Sequence, residues 1–236
     1  MTEFVTIPAG WFLMGSDRGR RGERPAHRVW VDAFDLAIYP VTRRQYTRFL
    51  EATGHAPPRD WDIPELDHPD LPVVGVSWHD ATALCRWLGP NGQACDLPTE
   101  AEWERAARGG SEGAHYPWGD AIPEWVPNAG KGPLVAPWPV TLGEPNGYGL
   151  YGIGANIHEW CSDWLSPTYY AVSPAHNPKG PDEGTRRASR GGAWRHAITM
   201  SRCAARSGID PSFRYNDYGF RVVRRHPAAT DDVSRP

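Results

Sequence analysis

The chain has 236 residues, and its 25 Gly and 24 Pro make about one residue in five a backbone punctuator, so long helices are not its main content. Twelve Trp, nine Tyr and six Phe within 40% apolar residues exclude simple disorder, because such a chain can bury enough surface to offset its ordering entropy. A formal net charge of −3 gives no overall electrostatic case for nucleic acid or an anionic membrane, and no apolar run approaches the roughly 20 residues that a membrane helix needs.

The β-branched and aromatic content of residues 4–15 and 28–36 predicts a hairpin-like pair of strands joined by the turn-rich link Gly19-Arg20-Arg21-Gly22-Glu23-Arg24-Pro25. Thr42 then caps a helix with Tyr46, Phe49 and Leu50 on one face, ending near Gly54. Residues 55–75, dominated by Pro, Asp and His, read as an irregular loop. Ser77, with Asp80 three residues on, caps a second helix whose apolar positions are Trp78, Ala81, Leu84, Cys85 and Leu88, stopped by Gly89-Pro90. Pro98-Thr99-Glu100-Ala101-Glu102 is a capping box that opens a third helix, ended by Gly109-Gly110. Beyond it no helical period survives, and short segments broken by Pro and Gly imply long loops held by aromatic packing. One domain over residues 1–228 is expected, with a polar, frayed tail over 229–236.

Two further features bear on function. The four cysteines, Cys85, Cys95, Cys161 and Cys203, form no Cys-x-x-Cys pair and are too scattered for a disulfide scaffold. With an N-terminus lacking a basic region followed by an apolar one, they point to free buried thiols and a cytoplasmic protein. From Arg186 to Arg225 there are ten Arg against only Asp210 and Asp217, a local balance of +8. Such a region can face an anionic substrate, or can satisfy backbone carbonyls through the five-donor guanidinium fork.

An ordered set of motifs runs through the chain: Pro98-Thr99-Glu100-Ala101-Glu102-Trp103-Glu104, Tyr116-Pro117-Trp118-Gly119, Pro145-Asn146-Gly147-Tyr148-Gly149-Leu150-Tyr151, Glu159-Trp160-Cys161-Ser162-Asp163-Trp164, Asn177-Pro178-Lys179-Gly180-Pro181, Arg190-Gly191-Gly192, Arg202-Cys203-Ala204-Ala205-Arg206-Ser207 and Gly219-Phe220-Arg221. This set resembles the formylglycine-generating enzyme (sulfatase-modifying factor) family over roughly residues 4–225. The resemblance implies a C-type-lectin-like α+β fold, loop-rich and low in regular secondary structure.

The same resemblance exposes departures. The family's copper enzymes carry two Cys after the Arg-Gly-Gly motif, whose thiolates suit Cu(I). Here the first of those positions is matched by His196, the second falls in a shortened segment, and Cys203 matches a structural Cys. A stand-alone member without the copper pair is therefore implied, and formylglycine generation by the two-cysteine mechanism is not expected. A Trp usual before Glu159-Trp160 is replaced by His158. Two imidazoles in one groove suit Fe(II), Cu or Zn, with a carboxylate or Cys as third ligand; Asp210 and Asp217 lie in the loop after the site, His27 and His79 are further candidates, and spacing alone does not rank them. Glu159 matches an acidic ligand of a family calcium site, although Gly152 and Ala155 depart from its pattern. Secreted members bridge the positions of Cys85 and Cys203 to partners that here are Val222 and Ala107, so neither bridge can form.

The leading expectation is a non-heme metal-dependent oxidoreductase acting on a peptide or small metabolite. His196, His158 and Arg195 are its candidate catalytic groups, and Trp194, Arg206 and Asp210 its candidate substrate contacts. The alternative is a non-catalytic ligand- or peptide-binding module using the same groove. No nucleotide cofactor and no nucleic-acid or membrane partner is expected. Sulfoxide synthases of the superfamily hold their iron ligands in a separate bundle, so a helical-bundle iron protein is a further candidate partner.

Overall fold

The structure is a computed structural model that describes residues 2–89 and 95–225. The tail expected from Ala229 and the helix-stopping Pro90 lie outside those residues.

The two N-terminal strand regions are both present but divide differently from the predicted pair. Strand β1 (Phe4–Ile7) is separated at Pro8-Ala9 from β2 (Gly10–Met14). β2 forms the hairpin with β3 (His27–Val31), whereas β1 pairs antiparallel with β4 (Phe34–Ala37). The sheet containing β1 has the order β1-β4-β10-β5, where β5 is Cys95–Asp96 and β10 is Val223–Arg225. The far end of the chain thus inserts beside the beginning. A second four-stranded sheet, ordered β8-β7-β6-β9, contains β6 (His158–Trp164), β7 (Arg187–Arg190), β8 (Arg206–Ile209) and β9 (Tyr218–Gly219).

Three α-helices stand where the caps predict them. Helices α1 (Arg43–Thr53), α2 (Trp78–Leu88) and α3 (Glu100–Ala107) each begin with a reciprocal capping box, formed by Thr42 with Gln45, Ser77 with Asp80 and Thr99 with Glu102. Thr99→Ala should cost about 1 kcal/mol, lowering the melting temperature by roughly 2–4 °C in a thermal melt.

Apolar packing is divided into three clusters. One lies between the β2–β3 hairpin and α3, around Phe12, Trp103 and Leu150. A second joins α1 and α2 to Trp160 and Phe220, and a third gathers Val126, Trp138, Ile157, Trp194 and Ile198 under the long loops.

Most of the C-terminal arginines tie these layers together. Helix α3 carries Glu100, Glu102 and Glu104 into the interior, where Arg190 and Arg206 meet Glu100, Arg225 meets Glu102, and Arg190 and Arg108 meet Glu104. Arg214 pairs with Asp80 at 2.8 Å, and Arg187 lies over the rings of Trp78 and Trp164 at 4.1 and 3.5 Å. Arg187, Arg206 and Arg221 also donate to backbone carbonyls, as the second reading of the basic region has it, while the buried carboxylates are partners that reading did not include.

The carboxyl of Asp163 sits inside this network, accepting from the Glu100 amide at 3.0 Å. Burial, then the Glu100 charge, pushes its pKa up to about 8. The folded state therefore holds this proton where the unfolded chain has released it, so the contribution is full below the ordinary carboxylate pKa and is lost as pH rises through about 8. Wild-type stability should fall from about pH 4 to pH 8 and level off above, and Asp163→Asn should flatten that slope in pH-resolved denaturant titrations.

Candidate functional site

The site is built where the second sheet meets the loop after the Arg-Gly-Gly turn. β6 and β9 run parallel with His158 opposite Tyr218, and the His158 amide donates to the Asp217 carbonyl at 2.9 Å. That pairing brings two residues 59 positions apart in sequence onto adjacent strand ends. The third member comes from the loop. Trp194 anchors it, with a 7% exposed side chain in the third cluster, its amide on the Asn156 carbonyl at 2.9 Å and its indole N–H donating to the Asn216 carbonyl at 3.3 Å. A turn from Ala193 to His196 then presents the imidazole.

The ligand-capable atoms of His158, His196 and Asp217 all lie within 4.8 Å of one another. No other such group of three occurs among the described residues. The two imidazole rings are 5.1 Å apart, and His196 Nε2 is 4.0 Å from Asp217 Oδ2.

The protonation state of His158 follows from its surroundings. Its Nδ1 lies 2.7 Å from the Gly191 carbonyl oxygen, which can only accept, so Nδ1 carries the proton and Nε2 keeps its lone pair. Burial lowers its pKa to about 4, against the opposing effect of Asp217, which keeps the ring neutral at neutral pH. A carbonyl behind one nitrogen and a free second nitrogen is how metal-bound histidines are usually oriented. Gly191 itself is required: at φ +81° an added Cβ would lie 3.0 Å from Gly154 Cα, pushing that carbonyl away. His196 is more open, with a 40% exposed side chain.

These three residues line a cavity of about 460 Å³ together with Arg20, Gly191, Arg195, Met200, Arg202, Ala205, Arg206, Ser207, Tyr215 and Tyr218. Two histidines and one carboxylate on one wall form the donor set typical of non-heme Fe(II). None of the four cysteines lines the cavity; all are free thiols, and burial raises the pKa of each. A two-thiolate copper centre therefore does not fit these residues.

The structure separates the remaining candidates. Glu159 is fully buried, and its two oxygens accept from Trp103 Nε1 at 2.8 Å and from Arg221 at 2.9 and 3.0 Å. Both carboxylate oxygens are thus engaged by protein donors, and the Arg221 guanidinium stands where the family resemblance implies a calcium ion. Arg206 touches the cavity, but its guanidinium is committed to both Glu100 oxygens and to the carbonyls of Gly22 and Ser166, which leaves it a structural residue and not a substrate contact. Asp210 is exposed and does not line the cavity; it accepts from Ser212 at 2.6 and 2.8 Å within the turn over residues 210–213. Trp194 is the loop anchor rather than an open stacking surface. Arg195 does reach the cavity, with one hydrogen bond of 2.9 Å to Asn216 Oδ1.

Of the four suggested third ligands only Asp217 joins the pair. His27 packs on Tyr170, with ring centroids 4.8 Å apart, and His79 packs on Trp78 in α2. Sequence reasoning passed over Arg20, Met200, Tyr215 and Tyr218. Only Tyr218, beside the Gly219-Phe220-Arg221 motif, carried any local signal; Arg20 lies in the N-terminal link and meets the site through tertiary packing alone.

The arrangement, a loop-rich α+β fold whose ordered motifs frame a polar cavity, defines a class, and the chain belongs to the formylglycine-generating enzyme (sulfatase-modifying factor) family. The model of the sulfatase-modifying factor enzyme 1-like domain matches residues 1–226. The formylglycine-generating enzyme of Streptomyces coelicolor is 36% identical over 281 residues, covering 93% of this chain and 88% of that protein. The serine/threonine-protein kinase pkn1 of Chlamydia caviae is 35% identical over 242 residues, and the chain spans only 38% of its length. Among solved structures, PvdO from Pseudomonas aeruginosa superposes with a TM-score of 0.81 at 27% identity, covering 95% of each chain. No helix among the described residues is long and apolar enough to cross a membrane.

Proposed function

We propose that this protein is a non-heme metal-dependent oxidoreductase that acts on a small metabolite or peptide in the cavity, with His158, His196 and Asp217 as its metal ligands. The observation that carries this reading is the convergence of two imidazoles and one carboxylate on a cavity wall, one imidazole being fixed through Nδ1 by the Gly191 carbonyl with its second nitrogen left free. A thiolate pair would select Cu(I), whereas this mixed N/O set suits Fe(II). When bound, Fe(II) would supply a redox-active centre for dioxygen chemistry on an adjacent substrate.

The chain's own residues do the rest. The Gly191 carbonyl fixes the tautomer and ring plane of His158. Tyr218 packs on that ring at 4.8 Å and limits its rotation. Ligands bound to one ion lie closer together than these atoms do, so His196, the exposed member, is the one with freedom to move inward.

Anaerobic reconstitution with Fe(II), desalting and elemental analysis test the reading. One Fe per chain in wild type, absent in His158→Ala, is the expected result. Protein that retains no Fe(II), Cu or Zn yet keeps full stability would overturn it in favour of a non-catalytic binding module.

A further inference from the structure

Four arginines line the cavity, and they are of two kinds. Arg202 forks onto Glu23 at 2.7 and 2.8 Å, and Arg206 forks onto Glu100, so both charges are neutralised from behind. Arg20 and Arg195 are exposed and, among the described residues, have no carboxylate partner. Arg20 donates to the weakly accepting Met200 Sδ at 3.7 Å, and Arg195 to the neutral amide of Asn216. The cavity's one lining carboxylate, Asp217, faces the histidine pair. Two unneutralised guanidinium groups on a concave surface favour an anion, and their forked donors match a carboxylate. In the same cavity Tyr215, 44% exposed, offers ring surface.

We propose that the substrate of this site carries a carboxylate held by Arg20 and Arg195, with an apolar body against Tyr215. This rests on reading the cavity as the active centre. A volume of about 460 Å³ is in the range of small-molecule sites, so the carboxylate belongs to a small acid or to the C-terminal residue of a peptide.

The test uses metal-free full-length protein and calorimetric or NMR titration with 3-phenylpropionate and its neutral amide. The acid should bind at least about tenfold more tightly than the amide, since a hydrogen-bonded charge contributes more than a neutral pair. Arg20→Gln and Arg195→Gln should each weaken the acid about tenfold, the double variant should bring it to the level of the amide, and added salt should weaken the acid alone. Arg28→Gln, on an exposed ion pair with Glu112 elsewhere, should leave it unchanged. A phenylalanine-terminated dipeptide, with a free or an amidated C terminus, separates the two sources: stronger binding of the free dipeptide than of 3-phenylpropionate identifies a peptide end, and the reverse a small acid. Equal binding of acid and amide, including no binding of either, or undiminished acid binding in the double variant, would overturn the proposal. Because no metal is present, failure of Fe(II) loading with acid selectivity intact removes only the metal reading, and the converse removes only this one.

Discussion

Asp217→Asn and His196→Ala should each lower Fe(II) affinity by at least about 100-fold in anaerobic titrations, because loss of a ligand's negative charge, or of the coordinating atom itself, exceeds the 10–100-fold cost of losing a group that merely orients one. Both variants should melt close to the wild-type temperature. His196 is 40% exposed and its side chain packs in no core cluster, while Asp217→Asn keeps the shape of the side chain and the backbone pairing to His158. His158→Ala should lose the metal as well, but at a cost in stability, since it empties a buried position and leaves the Gly191 carbonyl without its donor. A set in which only His158→Ala loses metal, in step with its loss of fold, would instead mark the cluster as structural.

The second large effect lies at Glu159. Glu159→Ala should destabilise the fold by about 3–5 kcal/mol, because it leaves the Arg221 guanidinium, itself fully buried, without its counter-charge. Trp103 Nε1 also loses its acceptor. For a chain of this size that corresponds to a drop in melting temperature of roughly 6–20 °C. Arg221 keeps its bonds to the carbonyls of Ala37, Ile38 and Tyr151, which places the effect toward the lower end of that range. EGTA should leave the wild-type melting temperature unchanged. If added Ca²⁺ raises it and Glu159→Ala abolishes that rise, the ion-pair account of Glu159 fails.

Glu159 also shows why part of the site is not legible in the chain. Its motif position argues for a cation ligand, and in one sense it has one: the cation is Arg221, 62 residues away, which only the folded chain brings alongside. The same holds for Arg206, whose place on the cavity wall is real but whose donors are turned to Glu100 behind it. A sequence records which groups are present, not which partner satisfies them first. Burial makes that choice, since an unpaired interior charge costs more than a substrate contact can return.

Local features are legible because their causes are local. The three capping boxes each join residues three positions apart, and the helices start where those pairs stand. The loops after Gly110 follow equally from Pro and Gly, which act through their own backbone. The division of the N-terminal strands is different: β1 pairs with β4, about 30 residues on, in a sheet completed by β10 from the other end of the chain, and no local spacing encodes that choice.

The sequence by itself determined the family, the capped helices, the lack of paired thiols after the Arg-Gly-Gly motif, and the two unusual histidines. Only the tertiary structure decided which carboxylate joins those histidines, because Asp217 reaches them through a parallel strand pairing that no local spacing encodes. It also decided which arginines remain unpaired at the cavity. Ten arginines are indistinguishable in a string of letters, and they become distinct once buried glutamates on α3 and β6 have neutralised some and left Arg195, with Arg20 from the opposite end of the chain, facing the cavity.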